Sequence, residues 1–229
     1  KIKMKIDAKK FVAGIKSDNA DLFTQSRANA RAYFNSNPSK EELVDHFTGR
    51  MVNERMNMVA IANQVANMPA DADPVELQNL SKQALDEAVH FRMVKEVVEH
   101  IGGKEIDLEA TMASEAAKEV AEGNHAKGAT LLDKYDAAGD EVALALYQLI
   151  GEGRAEAVWD EMADCVEDTY ISSRYAKIAR DEGFHSTIGE AKLEKLIAAD
   201  PSVTVRIDEL APQIRADLMH ISEENTKVA

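Results

Sequence analysis

The sequence has one cysteine, five prolines and one tryptophan, and each scarcity removes a class of protein. A lone Cys165 excludes an internal disulfide framework and any cysteine-rich metal cluster. No apolar run approaches the ~20 residues of a membrane span, so no membrane association is expected. The basic start, Lys1 to Lys10, lacks the apolar stretch and cleavage site of a signal peptide. The chain opens on Lys rather than Met, which leaves room for a short leader, and a cytoplasmic location is expected. Positive charge is also scarce: 27 Lys and Arg stand against 41 Asp and Glu, a net charge of −14. Nucleic acid demands a basic footprint and is excluded as a partner. With 45% hydrophobic and 30% charged residues over 229 positions, the chain can bury a sizeable core as one domain over 1–229. What composition leaves unexplained is the surplus of carboxylates.

Proline and glycine fall in clusters between long stretches without β-branched alternation, which indicates an all-α protein. A first helical segment is expected over about 7–35, closed by Asn35-Ser36-Asn37-Pro38. Ser39 with Glu42 forms a capping box opening a helix to about Met68. A third helix, about 75–101, ends at Gly102-Gly103. Residues 104–138 read as shorter pieces, about 107–121 and 126–135. Asp140 caps a helix over about 141–163, another runs from about Asp168 to Ala199, and a tail helix contains Pro212. Each long helix spans roughly 35–45 Å at 1.5 Å per residue, a distance that 102–138 can cross. Two antiparallel hairpins joined by one long crossover make a ferritin-like four-helix bundle, about 39–199, with extra N- and C-terminal helices.

The buried seams of these helices carry acid where apolar side chains belong. Glu54 sits between Met51 and Met58; Glu87 and His90 lie between Leu80 and Val94. Glu152 follows Leu149, with Trp159 beyond it, and Glu182 and His185 lie between Ile178 and Leu193. Four buried carboxylates must be protonated, paired or bound to cations, and no Lys or Arg lies on these seams. Two divalent cations with oxygen and imidazole ligands would balance them. Glu156 also points inward, about one turn off level, and ranks behind Glu152 as an extra carboxylate.

With 23 Glu and 6 His in 229 residues, about 0.6 Glu-x-x-His pairs are expected in random order. There are three. Glu122-Gly-Asn-His125 lies in the crossover without an apolar seam and serves as background. The other two share a preceding Asp: Asp86-Glu87-Ala-Val-His90 and Asp181-Glu182-Gly-Phe-His185. Glu54 precedes Glu87 by 33 residues and Glu152 precedes Glu182 by 30, so each pair lands level in its hairpin.

Asp-Glu-x-x-His twice, with one Glu on each preceding helix, resembles the ferritin-like dimetal carboxylate oxidoreductases. These include ribonucleotide reductase small subunits, bacterial multicomponent monooxygenase hydroxylases and acyl-carrier-protein desaturases. The resemblance covers about 45–190, and Ile178-Ala-Arg-Asp-Glu-Gly-Phe-His185 is especially similar to the last metal helix of the reductase subunits. It implies Glu54, Glu87 and His90 on one metal and Glu152, Glu182 and His185 on the other, with some carboxylates bridging. It also implies that Asp86 and Asp181 accept hydrogen bonds from the opposite motif's histidine. Departures narrow the choice. Val94 stands where the reductases usually place a radical tyrosine, Leu149 stands where many rubrerythrins carry an extra Glu, and the second motif argues against ferritins.

The resemblance further implies two metal ions, foremost an iron pair, with Mn/Fe and Mn/Mn as alternatives. The activity it implies is an O₂-activating oxidase or oxygenase acting on a small organic substrate, with O₂ or peroxide and an external electron donor as partners. A homodimer is the expected assembly. The runner-up is a rubrerythrin-like peroxide-reducing or ferroxidase protein, and the third reading is a structural bundle with surface carboxylates. A cavity of roughly 300 Å³ or more beside the metals would favour the organic substrate. Tyr147, Trp159, Tyr175 and Met58 are candidates for lining it or for redox roles, although at helical spacing simple core packing is the commoner use. His46, His100, His125 and His220 lack matching partners. Glu96, Glu99, Glu115 and Glu119 read as solvated helix faces.

Overall fold

The computed structural model describes residues 6–122, 128–137 and 139–224. Every regular element among them is a helix: α1 (Ala8–Asp18), α2 (Ala20–Asn35), α3 (Lys40–Ala66), α4 (Pro74–Gly102), α5 (Leu108–Glu122), α6 (Gly128–Ala137), α7 (Glu141–Cys165), α8 (Thr169–Ala199) and α9 (Val203–Glu224). No described helix is long and apolar enough to cross a membrane.

Local chemistry sets the boundaries. Ser39 accepts a hydrogen bond from the Glu42 backbone while the Glu42 carboxylate accepts one from the Ser39 backbone, closing the capping box that starts α3. Asp73, ahead of Pro74, and Asp140 and Asp168 cap α4, α7 and α8 by accepting hydrogen bonds from first-turn backbone N–H groups. Gly103 ends α4 at φ 69°, a left-handed conformation that costs glycine no Cβ clash. The single segment expected over 7–35 is instead two helices. The Asn19 side chain, 4% exposed, donates to the Ile15 carbonyl at 2.8 Å, and this local bond competes with the helical ladder.

α3 packs against α4 and α7 against α8, and the two hairpins meet along α4 and α8. His90 faces Asp181 while Asp86 faces His185, so residue numbers rise along one helix as they fall along the other, and α4 and α8 are antiparallel. On the far side α6 packs on both α3 and α7, α2 and α9 cover α7, and α1 lies on α8.

The apolar core is divided. One cluster joins Phe47, Met51, Val94, Val97, Trp159 and Tyr175; the other joins Ile61, Leu146, Leu149, Leu193 and Ile197 to α1, α6 and α9. The carboxylates and histidines occupy the level between them. Gly189 brings α7 and α8 together within the second cluster, since a Cβ on it would meet the Ala145 carbonyl and the Leu149 nitrogen at 2.7 Å each.

Candidate metal centre

Each long helix of the two hairpins delivers its acid to one place. The i, i+3 spacing sets Glu87 beside His90 on α4 and Glu182 beside His185 on α8, with Glu54 arriving from α3 and Glu152 from α7. Two ligand groups result: Glu54, Glu87, His90 and Glu182, and Glu87, Glu152, Glu182 and His185. Within each group one donor atom per residue lies within 4.8 Å of all the others. Glu87 and Glu182 belong to both. Five of the six are at most 3% exposed; Glu152 is half-buried.

Several donors converge without satisfying one another, while His185 Nδ1 is within hydrogen-bond reach of Glu182. His90 Nδ1, Glu54 Oε2 and Glu87 Oε2 are buried and have no hydrogen-bond partner. His90 Nδ1 is 3.5 Å from Glu54, 3.6 Å from Glu87 and 3.4 Å from Glu182. His185 Nδ1 is 3.4 Å from Glu87 and 3.3 Å from Glu182. Orphaned buried polar atoms are costly, and imidazole with carboxylate is a donor set that first-row divalent cations accept. The cluster is compatible with a dimetal site.

The outer nitrogens are held crosswise. His90 Nε2 lies 3.0 Å from Asp181 Oδ2 and His185 Nε2 lies 3.0 Å from Asp86 Oδ2, so each motif's aspartate orients the other motif's imidazole and leaves Nδ1 facing inward. Lys82 donates to Asp86 at 2.5 Å and Lys177 donates to Asp181. Lysine four residues before the aspartate recurs in both motifs. The repeat is therefore Lys-x-x-x-Asp-Glu-x-x-His, a longer signal than the one singled out in the sequence. Gln83, fully buried, donates to Glu152 Oε1 at 2.9 Å and accepts at 2.5 Å from Gln148. Its place on the α4 seam, one turn before Glu87, was the available signal.

Burial raises the pKa of Glu54 to about 8, against the pull of His90 and with the push of Glu87. Burial and then Glu182 raise Glu152 as well. Burial would also raise Glu182, but Glu152, then His185 and His90 beside it, outweigh that and hold the carboxyl low. Burial opposes charge on both imidazoles, yet Asp181 and the cluster carboxylates raise His90, and Asp86, Glu182 and Glu87 raise His185 to about 12. Asp181, although partly desolvated, is held down to about 2 by His90 and Lys177.

A cavity of about 200 Å³ opens beside the cluster between α3 and α7, where α6 bridges the two helices. Glu54, Glu152 and Glu182 form part of its wall, with Tyr147 and Trp159 as expected. Its volume falls short of the roughly 300 Å³ that marks the lower end of drug-sized pockets. Tyr175 is buried core, stacked on Phe47 at 5.2 Å. Met58 is half-buried and does not line the cavity. Glu156 is exposed and belongs to neither ligand group; its carboxyl lies over Gly183, where an added Cβ would meet it at 2.9 Å.

Two further expectations are corrected. Cations do reach the centre, because Arg50 and Arg154 line the cavity. Arg50 stands one turn before Glu54 on α3 and lies over the Trp159 ring of α7. Glu115 is 6% exposed and accepts from Lys118 at 2.9 Å, so it is no solvated face. Glu96 and Glu99 pair with neighbouring Arg and Lys side chains. The Glu119 side chain and His125 lie outside the described residues. His46 stacks on Tyr33 at 4.6 Å, and burial followed by Arg50 lowers it to about 4. His100 bonds Asp168 at 2.7 Å, and His220 is exposed.

No family model, no curated protein and no solved structure matches the chain.

Proposed function

We propose that the protein is an O₂-activating dimetal oxidase or oxygenase of the ferritin-like class, acting on a small organic substrate. Glu54, Glu87, His90, Glu152, Glu182 and His185 hold two metal ions, most simply iron. The observation that carries this reading is the sharing of Glu87 and Glu182 between two ligand groups, which suits a closely spaced pair with bridging carboxylates. Bound in its reduced form, such a pair supplies two electrons to O₂ at one place. Asp86 and Asp181 keep the imidazole Nδ1 atoms inward. Gln83 orients Glu152, and the two apolar clusters on either side exclude bulk water. Glu54, Glu152 and Glu182 face the cavity, which supports a substrate site beside the centre.

The test is anaerobic loading with Fe(II) followed by exposure to O₂. Uptake of O₂ that scales with bound iron, and that is lost in Glu87→Ala and His185→Ala proteins of unchanged helical content, is the expected result. Loaded protein that consumes no O₂, or variants that consume it unchanged, overturn the assignment. The modest cavity also suits a second reading, reduction of peroxide. Turnover of H₂O₂ with an added reductant, but not of O₂, would select it.

A further inference from the structure

We propose that the cavity beside the cluster binds a small organic carboxylate, gripped by the guanidinium groups of Arg50 and Arg154. The inference rests on the dimetal reading and adds a substrate class to it. Arg154 is 7% exposed, and both arginines line the cavity. The Nε atoms of both are buried without a hydrogen-bond partner. Arg50 lies 4.6 Å over the Trp159 ring, which fixes the guanidinium by its face and leaves its N–H edge for an acceptor.

Charge balance then selects the ligand. The charged groups that act on Arg50 are Glu54 and Glu182, beside the Tyr175 phenol; Arg154 has Arg50 and the Tyr147 phenol as its neighbours. Two divalent ions would cancel the four cluster carboxylates, so the metal-loaded site would leave the buried Arg154 and the half-buried Arg50 without a counter-charge. A buried, uncompensated cation is costly, and a planar oxyanion matches the guanidinium fork. His46, on the same wall, is neutral at physiological pH and does not compete for it. At about 200 Å³ the cavity holds about six water volumes of ~30 Å³, so the carboxylate belongs to a small molecule. The same two arginines also line a second cavity of about 30 Å³, large enough for about one water and too small for an organic acid.

The experiment uses protein loaded anaerobically with Mn(II), its metal content measured first, and titrates it calorimetrically with propionate, benzoate, benzamide and inorganic phosphate. The expected result is that a carboxylate binds and benzamide does not. Arg50→Gln and Arg154→Gln should each weaken binding by about tenfold or more, and Arg154→Lys, which keeps the charge without the fork, should weaken it less. Metal content and helical circular dichroism of each variant confirm folding. Failure to load metal overturns the dimetal reading and this one with it. Loaded protein that binds neither carboxylate better than benzamide overturns this inference alone. So do carboxylates that bind all three variants as tightly as the parent, through the metals, or a site that takes phosphate and rejects both carboxylates.

Discussion

His90 on α4 points its Nε2 at Asp181 on α8, 3.0 Å away, and the reciprocal pair, His185 and Asp86, repeats the distance. Neither motif is complete without the other, so the two hairpins are locked in register by the groups that prepare the metal donors.

Removing one member of this exchange should loosen the centre without unfolding it. In Asp181→Asn the carboxylate that orients His90 and pairs with Lys177 is lost. Metal affinity is expected to fall by about 10–100-fold, and Asp86→Asn should behave alike. Competition with a coloured chelator measures it, and unchanged affinity in both variants contradicts the role.

Metal uptake should release protons. Glu54 is raised to about 8 and Glu152 is raised as well, so at neutral pH Glu54 holds a proton that a cation must displace. As pH rises towards 8 fewer protons compete, and affinity should increase. Calorimetric titration with Mn(II) in buffers of different ionisation enthalpy reads both effects. Affinity that stays flat between about pH 6 and about pH 8 contradicts them.

Gln83→Leu tests the outer support of Glu152. It strands the Gln148 amide, which donates to Gln83 at 2.5 Å, and frees Glu152. A loss of about 1–3 kcal/mol in stability is expected from the stranded group, together with weaker metal binding. Urea unfolding with and without metal separates the two losses.

Gly189→Ala should destabilise the protein by about 1–3 kcal/mol through overpacking, because the added Cβ meets α7 backbone at 2.7 Å. Gly14→Ala is the control. Nothing lies within 4 Å of its Cβ position, and there alanine should stabilise α1 by about 0.5–1 kcal/mol. Thermal melts of equal midpoint for the two variants would contradict the close approach of α7 and α8.

The six cluster residues were legible because helical periodicity is a strong signal, and an acid inside an apolar stripe has few explanations. Glu54, Glu87, Glu152 and Glu182 each interrupt such a stripe, and the paired Asp-Glu-x-x-His supplied the rest. Arg50 and Arg154 were not legible. Both line the cavity, a tertiary feature that helical periodicity does not record. The break at Asn19 was hidden for a related reason, since asparagine within a periodic stretch signals a bend only once its side chain is seen to bond Ile15. Glu156 misled because periodicity says which side of α7 a residue occupies without saying how far round the cluster reaches. Lys82 and Lys177 were readable as a repeat, yet their value depends on Asp86 and Asp181 being shared across helices.

The most direct test counts and locates the metals. Protein expressed with iron and manganese, analysed for both elements and crystallised, would be examined by anomalous scattering at the two absorption edges. Two ions per chain are predicted, both between Glu87 and Glu182, one beside His90 and the other beside His185. A folded protein that retains neither metal, or that binds metal away from these six residues, would contradict the account.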